Sequence, residues 1–220
     1  MYCLVHRLLY DEPVNAGIDK GAPLSLFWAS LPYGATVLGL WILDIPLVAV
    51  GLYHAGILCL LVCHPCFPMT LPRGIRLDWL AGMSLLCLSV WPVLVLLWPF
   101  MHLPGVELGS SLSAWGLEGP WGFGFIVYSL TVHPVLEETF WRGLLPDRLL
   151  SDILFAGFHV LVMVLFLSWI WVLTGFLILC AAAFLWRMSK KKTGGLLVPI
   201  LSHAVADFAI VLGVLHIVNT

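Results

Sequence analysis

Charge is scarce in this chain. Its 220 residues include 10 lysines and arginines and 12 aspartates and glutamates, or 10% of the sequence. A soluble domain carries about 25%. With 61% hydrophobic residues and a mean hydropathy of +1.04, a water-soluble monomer is excluded, because the apolar surface could not be hidden. No basic patch with interleaved aromatics is present, and the net charge is −2, so nothing points to nucleic acid. The six cysteines (Cys3, Cys59, Cys63, Cys66, Cys87, Cys180) fall mostly in apolar runs. Cys63-His64-Pro65-Cys66 has no second pair at zinc spacing, so it reads as a helix end. No cleavable signal peptide is expected, since Arg7, Asp11, Glu12, Asp19 and Lys20 crowd the first 20 residues. Internal repeats and low-complexity tracts are also lacking.

Long apolar runs dominate the rest. A bilayer-spanning helix takes about 20 mostly apolar residues. Residues 24–43, 46–63, 78–100 and 121–141 fit, as does 195–218. The uncharged run 153–186 is too long for one span and reads as a hairpin of two short helices breaking near Ser168. The expected fold is an all-α polytopic bundle of about seven transmembrane helices. Residues 1–120 form amino-terminal helices and a loop at 102–120, and 121–220 a catalytic core. Arg73, Arg76, Arg142, Arg148, Arg187, Lys190, Lys191 and Lys192 fall between spans on one side. The connections 44–46 and 102–120 have no lysine or arginine. The positive-inside rule makes the basic side cytoplasmic. Trp28, Trp79, Trp121 and Trp186 near span ends suit an interfacial belt.

Against this background, Glu137-Glu138-Thr139-Phe140-Trp141-Arg142 is the informative segment. An ionisable group at membrane depth costs roughly 3 kcal/mol or more and is a functional-site hypothesis by default. Glu138 and Arg142 stand at i and i+4 with the acid first, the favoured order for a helix ion pair. Glu137 is then the freer carboxylate and the better candidate base. His159 lies four residues after Phe155, and His203 four before Asp207. A carboxylate one turn away can orient an imidazole. These clusters fall at a common depth, about 5–14 Å from the basic face at 1.5 Å per residue. His133, one turn before Glu137 across Pro134, has an open role. His6, His54, His64, His102 and His216 show no partner pattern and read as structural or interfacial. Gly194-Gly195-Leu196-Leu197-Val198-Pro199 is expected to open the last helix with small residues that allow close approach.

Glu137-Glu138-x-x-x-Arg142, Phe155-x-x-x-His159 and His203-x-x-x-Asp207, in that order, resemble the three motifs of the CAAX protease and bacteriocin-processing (CPBP, or Abi) family of intramembrane proteases. The resemblance covers about 125–215. It implies an intramembrane endopeptidase that cleaves near a C-terminal or membrane-proximal segment of a protein or peptide substrate. That substrate is lipidated or membrane-anchored in some relatives. By this resemblance Glu137 and His159 activate water, and His203 with residue 207 completes the site. Relatives often carry Asn at the latter position. An aspartate there suits orientation of His203 better than oxyanion binding. The family has been described both as metalloproteases and as metal-free glutamic proteases. If a metal such as zinc is present, Glu137, His159 and His203 are the expected ligands. A bacterial cytoplasmic membrane is the expected location. Other readings are a non-enzymatic immunity or membrane-chaperone protein, and a bis-histidine haem or quinone protein using His159 and His203.

Overall fold

The computed structural model describes residues 24–63 and 76–220. Cys3, His6, the early charged residues, His64, Cys66 and Arg73 lie outside the described residues, so the Cys63–Cys66 reading is not addressed. Among the described residues the chain is all-helical, with one isolated β-bridge between His102 and Leu167. Helix α1 spans Leu26–Ile42, α2 Pro46–Cys63 and α3 Leu77–Met101. A short α4 (Leu108–Ala114) lies within the expected loop at 102–120. Helix α5 runs Gly119–Glu138 and continues through a π-helical turn at Thr139–Leu144. Helices α6 (Leu149–Met163), α7 (Trp169–Thr193) and α8 (Leu197–Val218) complete the bundle.

Four of these, α2, α3, α7 and α8, are long and apolar enough to cross a membrane. Helices α1 and α6 are apolar but shorter. Helix α5 carries two prolines, a histidine and both glutamates and does not join the four. The expected seven spans are therefore met by four on length and composition. The outer faces are apolar, as at Leu96 and Phe100, both 71% exposed, which suits contact with lipid chains.

Two expectations about the carboxy-terminal third are corrected. The 153–186 run does break at Ser168, but only α6 is short. Helix α7 extends for 25 residues and takes Arg187 and the three lysines into its last turns. No proline interrupts this stretch. Lysine is a good helix former and complements the negative end of the helix dipole, so the charges extend the helix instead of ending it. The end comes at Gly194, which is left-handed at φ 75° and donates its N–H to the Lys190 carbonyl at 2.9 Å. Gly194 therefore closes α7 and does not open α8; only glycine adopts this conformation without a Cβ penalty.

Helix α8 is the hub and packs against α3, α4, α5 and α7. Gly213 permits its approach to α3, since a Cβ there would lie 2.6 Å from Leu94 Cδ2. Helices α6 and α7 form an antiparallel pair, and α1 packs on α2 and α6. An aromatic layer joins α2, α5 and α6. Trp141 stacks on Phe158 at 5.8 Å, and its Nε1–H donates to the Tyr53 hydroxyl at 2.8 Å. A buried indole N–H needs such a partner, and this one fixes the ring. The layer holds the end of α5 in place.

Candidate active site

The end of α5 is shaped by two departures from regular helix. Pro134 has no N–H, so the helix lacks one hydrogen bond in the turn before Glu137. After Glu138 the backbone widens into the π turn, where Leu145 N–H reaches the Phe140 carbonyl at 3.0 Å, an i→i−5 bond. Such turns recur at functional sites because they re-aim side chains. Leu145 then turns extended ahead of Pro146, which ends the element. Every residue from Leu136 to Arg142 is buried.

The two glutamates have opposite surroundings. Glu138 Oε1 accepts from Arg142 Nη1 at 3.1 Å and from His203 Nδ1 at 2.8 Å. The Arg142 guanidinium lies 4.3 Å above the Phe155 ring, and the His203 ring stacks on Trp186 at 4.6 Å. Trp186 is fixed in turn by donating to Ser202 Oγ at 2.9 Å. Glu137 is also 0% exposed, yet neither of its oxygens has a hydrogen-bond partner. Its Oε2 lies 3.8 Å from His203 Nε2 and 3.8 Å from His133 Nε2. Asp207 Oδ1 is 3.7 Å from His203 Nε2. This small volume thus holds three carboxylates against one guanidinium. Such a grouping survives burial only with protons on some carboxylates or imidazoles.

His159 stands on α6 against Phe158, with ring centroids 4.0 Å apart. Its Nδ1–H donates to the Phe155 carbonyl at 2.8 Å, which leaves a lone pair on Nε2. Among the described residues no carboxylate lies within 4.0 Å of it. The most accessible members of the cluster are His133 and Asp207, at 23% and 16% side-chain exposure. A cleft of about 400 Å³ flanks them, lined by Leu80 and Ser84 of α3, Leu130 of α5, and Leu201, Ala204 and Phe208 of α8. Leu130 is one turn from His133 and Ala204 one turn from Asp207, so the cleft and these two residues share a side.

A protein-family model described as type II CAAX prenyl endopeptidase, Rce1-like, matches residues 119–209, the segment that supplies most of this cluster. Residues 119–209 thus carry a domain that matches the CAAX protease family. Comparison with curated proteins and with solved structures gives no significant match. At the level of the family, the match implies a protease of the intramembrane type with a peptide substrate. With its several apolar helices it is an integral membrane protein.

The sequence motifs converge in large part. Glu137, Glu138, Arg142, His203 and Asp207 form one contiguous cluster, with His159 nearby but not in contact with a carboxylate. Three details differ from expectation. First, it is Glu138, from another helix, that hydrogen-bonds and orients His203; Asp207 stays at 3.7 Å. Second, the expected set Glu137, His159 and His203 is not among the triplets whose donor atoms come close together. Among the described residues, the triplets with one donor atom each within 4.8 Å are His54–His133–Glu137 and His133–His203–Asp207. Third, His54 is not a bystander. It is 3% exposed, with Nδ1 against the Tyr128 hydroxyl at 2.5 Å and Nε2 against His133 Nδ1 at 3.2 Å. The available signal was its position, an ionisable side chain in the middle of an apolar span.

Proposed function

We propose that the chain is an intramembrane endopeptidase in which Glu137 is the general base. The observation that carries this reading is the contrast at α5. Glu138 is consumed by Arg142 and His203, while Glu137 is fully buried with both oxygens unpartnered. A buried carboxylate without a partner is costly, and a reacting water is the partner it lacks.

In this reading a water sits between Glu137 and His159, which do not touch each other. Glu137 takes a proton from the water as its oxygen bonds to the scissile carbonyl carbon. The carbonyl π pair becomes the oxyanion. His159 Nε2 accepts the second water hydrogen bond and holds the oxygen in line. His203, as an imidazolium, donates Nδ1–H to Glu138 and has Nε2–H left for the oxyanion. Asp207 balances that charge. On collapse the C–N bond breaks and Glu137 returns its proton to the leaving nitrogen. Arg142 positions Glu138 and through it His203.

In this reading the catalytic groups all lie within 121–220. The substrate approaches through the cleft between α3, α5 and α8 as an extended segment close to the membrane, near its C-terminus. The positive-inside rule supports assigning the basic end of α7, where Lys190 bonds Asp147 at 3.0 Å and the Arg142 carbonyl, to the cytoplasmic side. The test is turnover of a fluorogenic membrane-anchored peptide by purified protein. Wild type cleaves it, and Glu137→Gln does not. Native turnover by Glu137→Gln defeats the reading.

A further inference from the structure

We infer that His54, His133 and Glu137 form a binding site for a divalent transition cation of the zinc class, whose occupancy switches the hydrolytic centre off by taking Glu137 as a ligand. The inference rests on the reading of Glu137 as the base.

The three residues come from α2 and α5 and offer one donor atom each within 4.8 Å of one another. His54 is 3% exposed and Glu137 0%. Both Glu137 oxygens lack a hydrogen-bond partner, with His133 Nε2 and His203 Nε2 standing off at 3.8 Å, so the site contains a buried carboxylate open to a further ligand. His54 Nε2 and His133 Nδ1 are 3.2 Å apart. Two nitrogens on one tetrahedral zinc, at 2.0–2.1 Å each, stand about 3.3 Å apart. The imidazole pair is thus already at the spacing a cation requires. His54 Nδ1 lies 2.5 Å from the Tyr128 hydroxyl, and in the tautomer whose Nδ1–H donates there the Nε2 lone pair is left for the ligand. A hydrogen bond of this kind to the second ring nitrogen is what orients ligating histidines. Two imidazoles and a carboxylate favour zinc or cobalt over calcium or magnesium, and water fills the fourth position. The cation takes the place of the proton between the two rings, and that proton moves from His133 Nδ1 to Nε2, so both histidines ligate as neutral imidazoles. A carboxylate ligated in this way can no longer accept a proton from the reacting water.

The experiment uses full-length protein in detergent, stripped by chelator and titrated with cobalt(II) and then with zinc. Wild type should bind one equivalent of cobalt with the visible d–d absorption of a tetrahedral ion, and zinc should displace it. His54→Gln and His133→Gln should each bind at least ten-fold more weakly. Tyr128→Phe keeps all three ligands and should weaken binding by a smaller factor, which guards against misfolding of the histidine variants. One equivalent of zinc should lower wild-type cleavage at least ten-fold relative to its own stripped rate, and should leave the His54→Gln rate near its own stripped value. Equal cobalt spectra in wild type and His54→Gln would overturn the inference and leave Glu137 as base untouched. So would loss of the ion in Asp207→Asn with retention in His54→Gln, which places it on the other triplet. Cleavage that requires zinc would overturn the switch. Metal-free cleavage by Glu137→Gln would instead sink the base assignment, while the cobalt titration still reports on the site.

Discussion

The buried cluster has two sides built from neighbouring residues. On one side Glu138, Arg142, His203, Trp186 and Ser202 satisfy one another through short hydrogen bonds and stacked rings. On the other, Glu137 faces His133 and His203 at 3.8 Å with no hydrogen bond. The two carboxylates have the same chemistry and the same burial. The difference is that one is part of the scaffold and the other is held ready by it. The partnered side is not complete, since Glu138 Oε2 and Arg142 Nη2 also lack a partner, but its bonds fix the geometry of Glu138, whereas neither oxygen of Glu137 is held.

The comparison breaks most severely at Arg142. Arg142→Ala leaves Glu138 buried without its cation and should cost about 3–5 kcal/mol. The readout is a lower thermal midpoint in detergent and poor yield, with loss of activity following from loss of structure. A variant as stable as wild type would show that the partnered side is no scaffold.

A smaller effect, confined to rate, is expected at His159. Its one hydrogen bond is to a carbonyl of its own helix, so His159→Ala should leave the thermal midpoint nearly unchanged. Turnover should fall by about 10²-fold or more if His159 orients the water beside Glu137. Native turnover would remove His159 from the water site.

The smallest effect is expected at Ser202. Ser202→Ala removes the acceptor of the Trp186 indole and should cost about 1 kcal/mol, with more only if the indole stays unsatisfied. The stacking on His203 persists, so turnover per folded molecule should change less than two-fold. A large loss of rate with little loss of stability would move Trp186 and Ser202 from the supporting side to the reacting side.

How far the sequence showed this arrangement depended on whether partners shared a helix. The Glu138–Arg142 pair was legible because i, i+4 neighbours meet on any helix. The freedom of Glu137 followed from it. The contact between His203 and Glu138, 65 residues apart, was not legible. It depends on the vertical register of α8 against α5, which apolar composition does not encode. His54 was missed for the same reason, since its partners Tyr128 and His133 lie on a different helix. The end of α7 was misplaced because lysines were read as a connection, where they form the last turns of a helix closed by Gly194. The break at Asp44-Ile45-Pro46 was plain, and Asp44 there is left-handed at φ 54°.

The most direct measurement sets Glu137→Gln beside Glu138→Gln in one preparation, recording peptide turnover and thermal midpoint for each. Glu137→Gln should lose about 10²–10⁴ in turnover, the range for a general base. Its midpoint should hold or rise, because an unpartnered buried charge is gone. Glu138→Gln should lower the midpoint by an amount comparable to Arg142→Ala, since Arg142 loses its counter-charge. A Glu137→Gln protein that cleaves at the native rate, or that unfolds as Glu138→Gln does, would contradict the account.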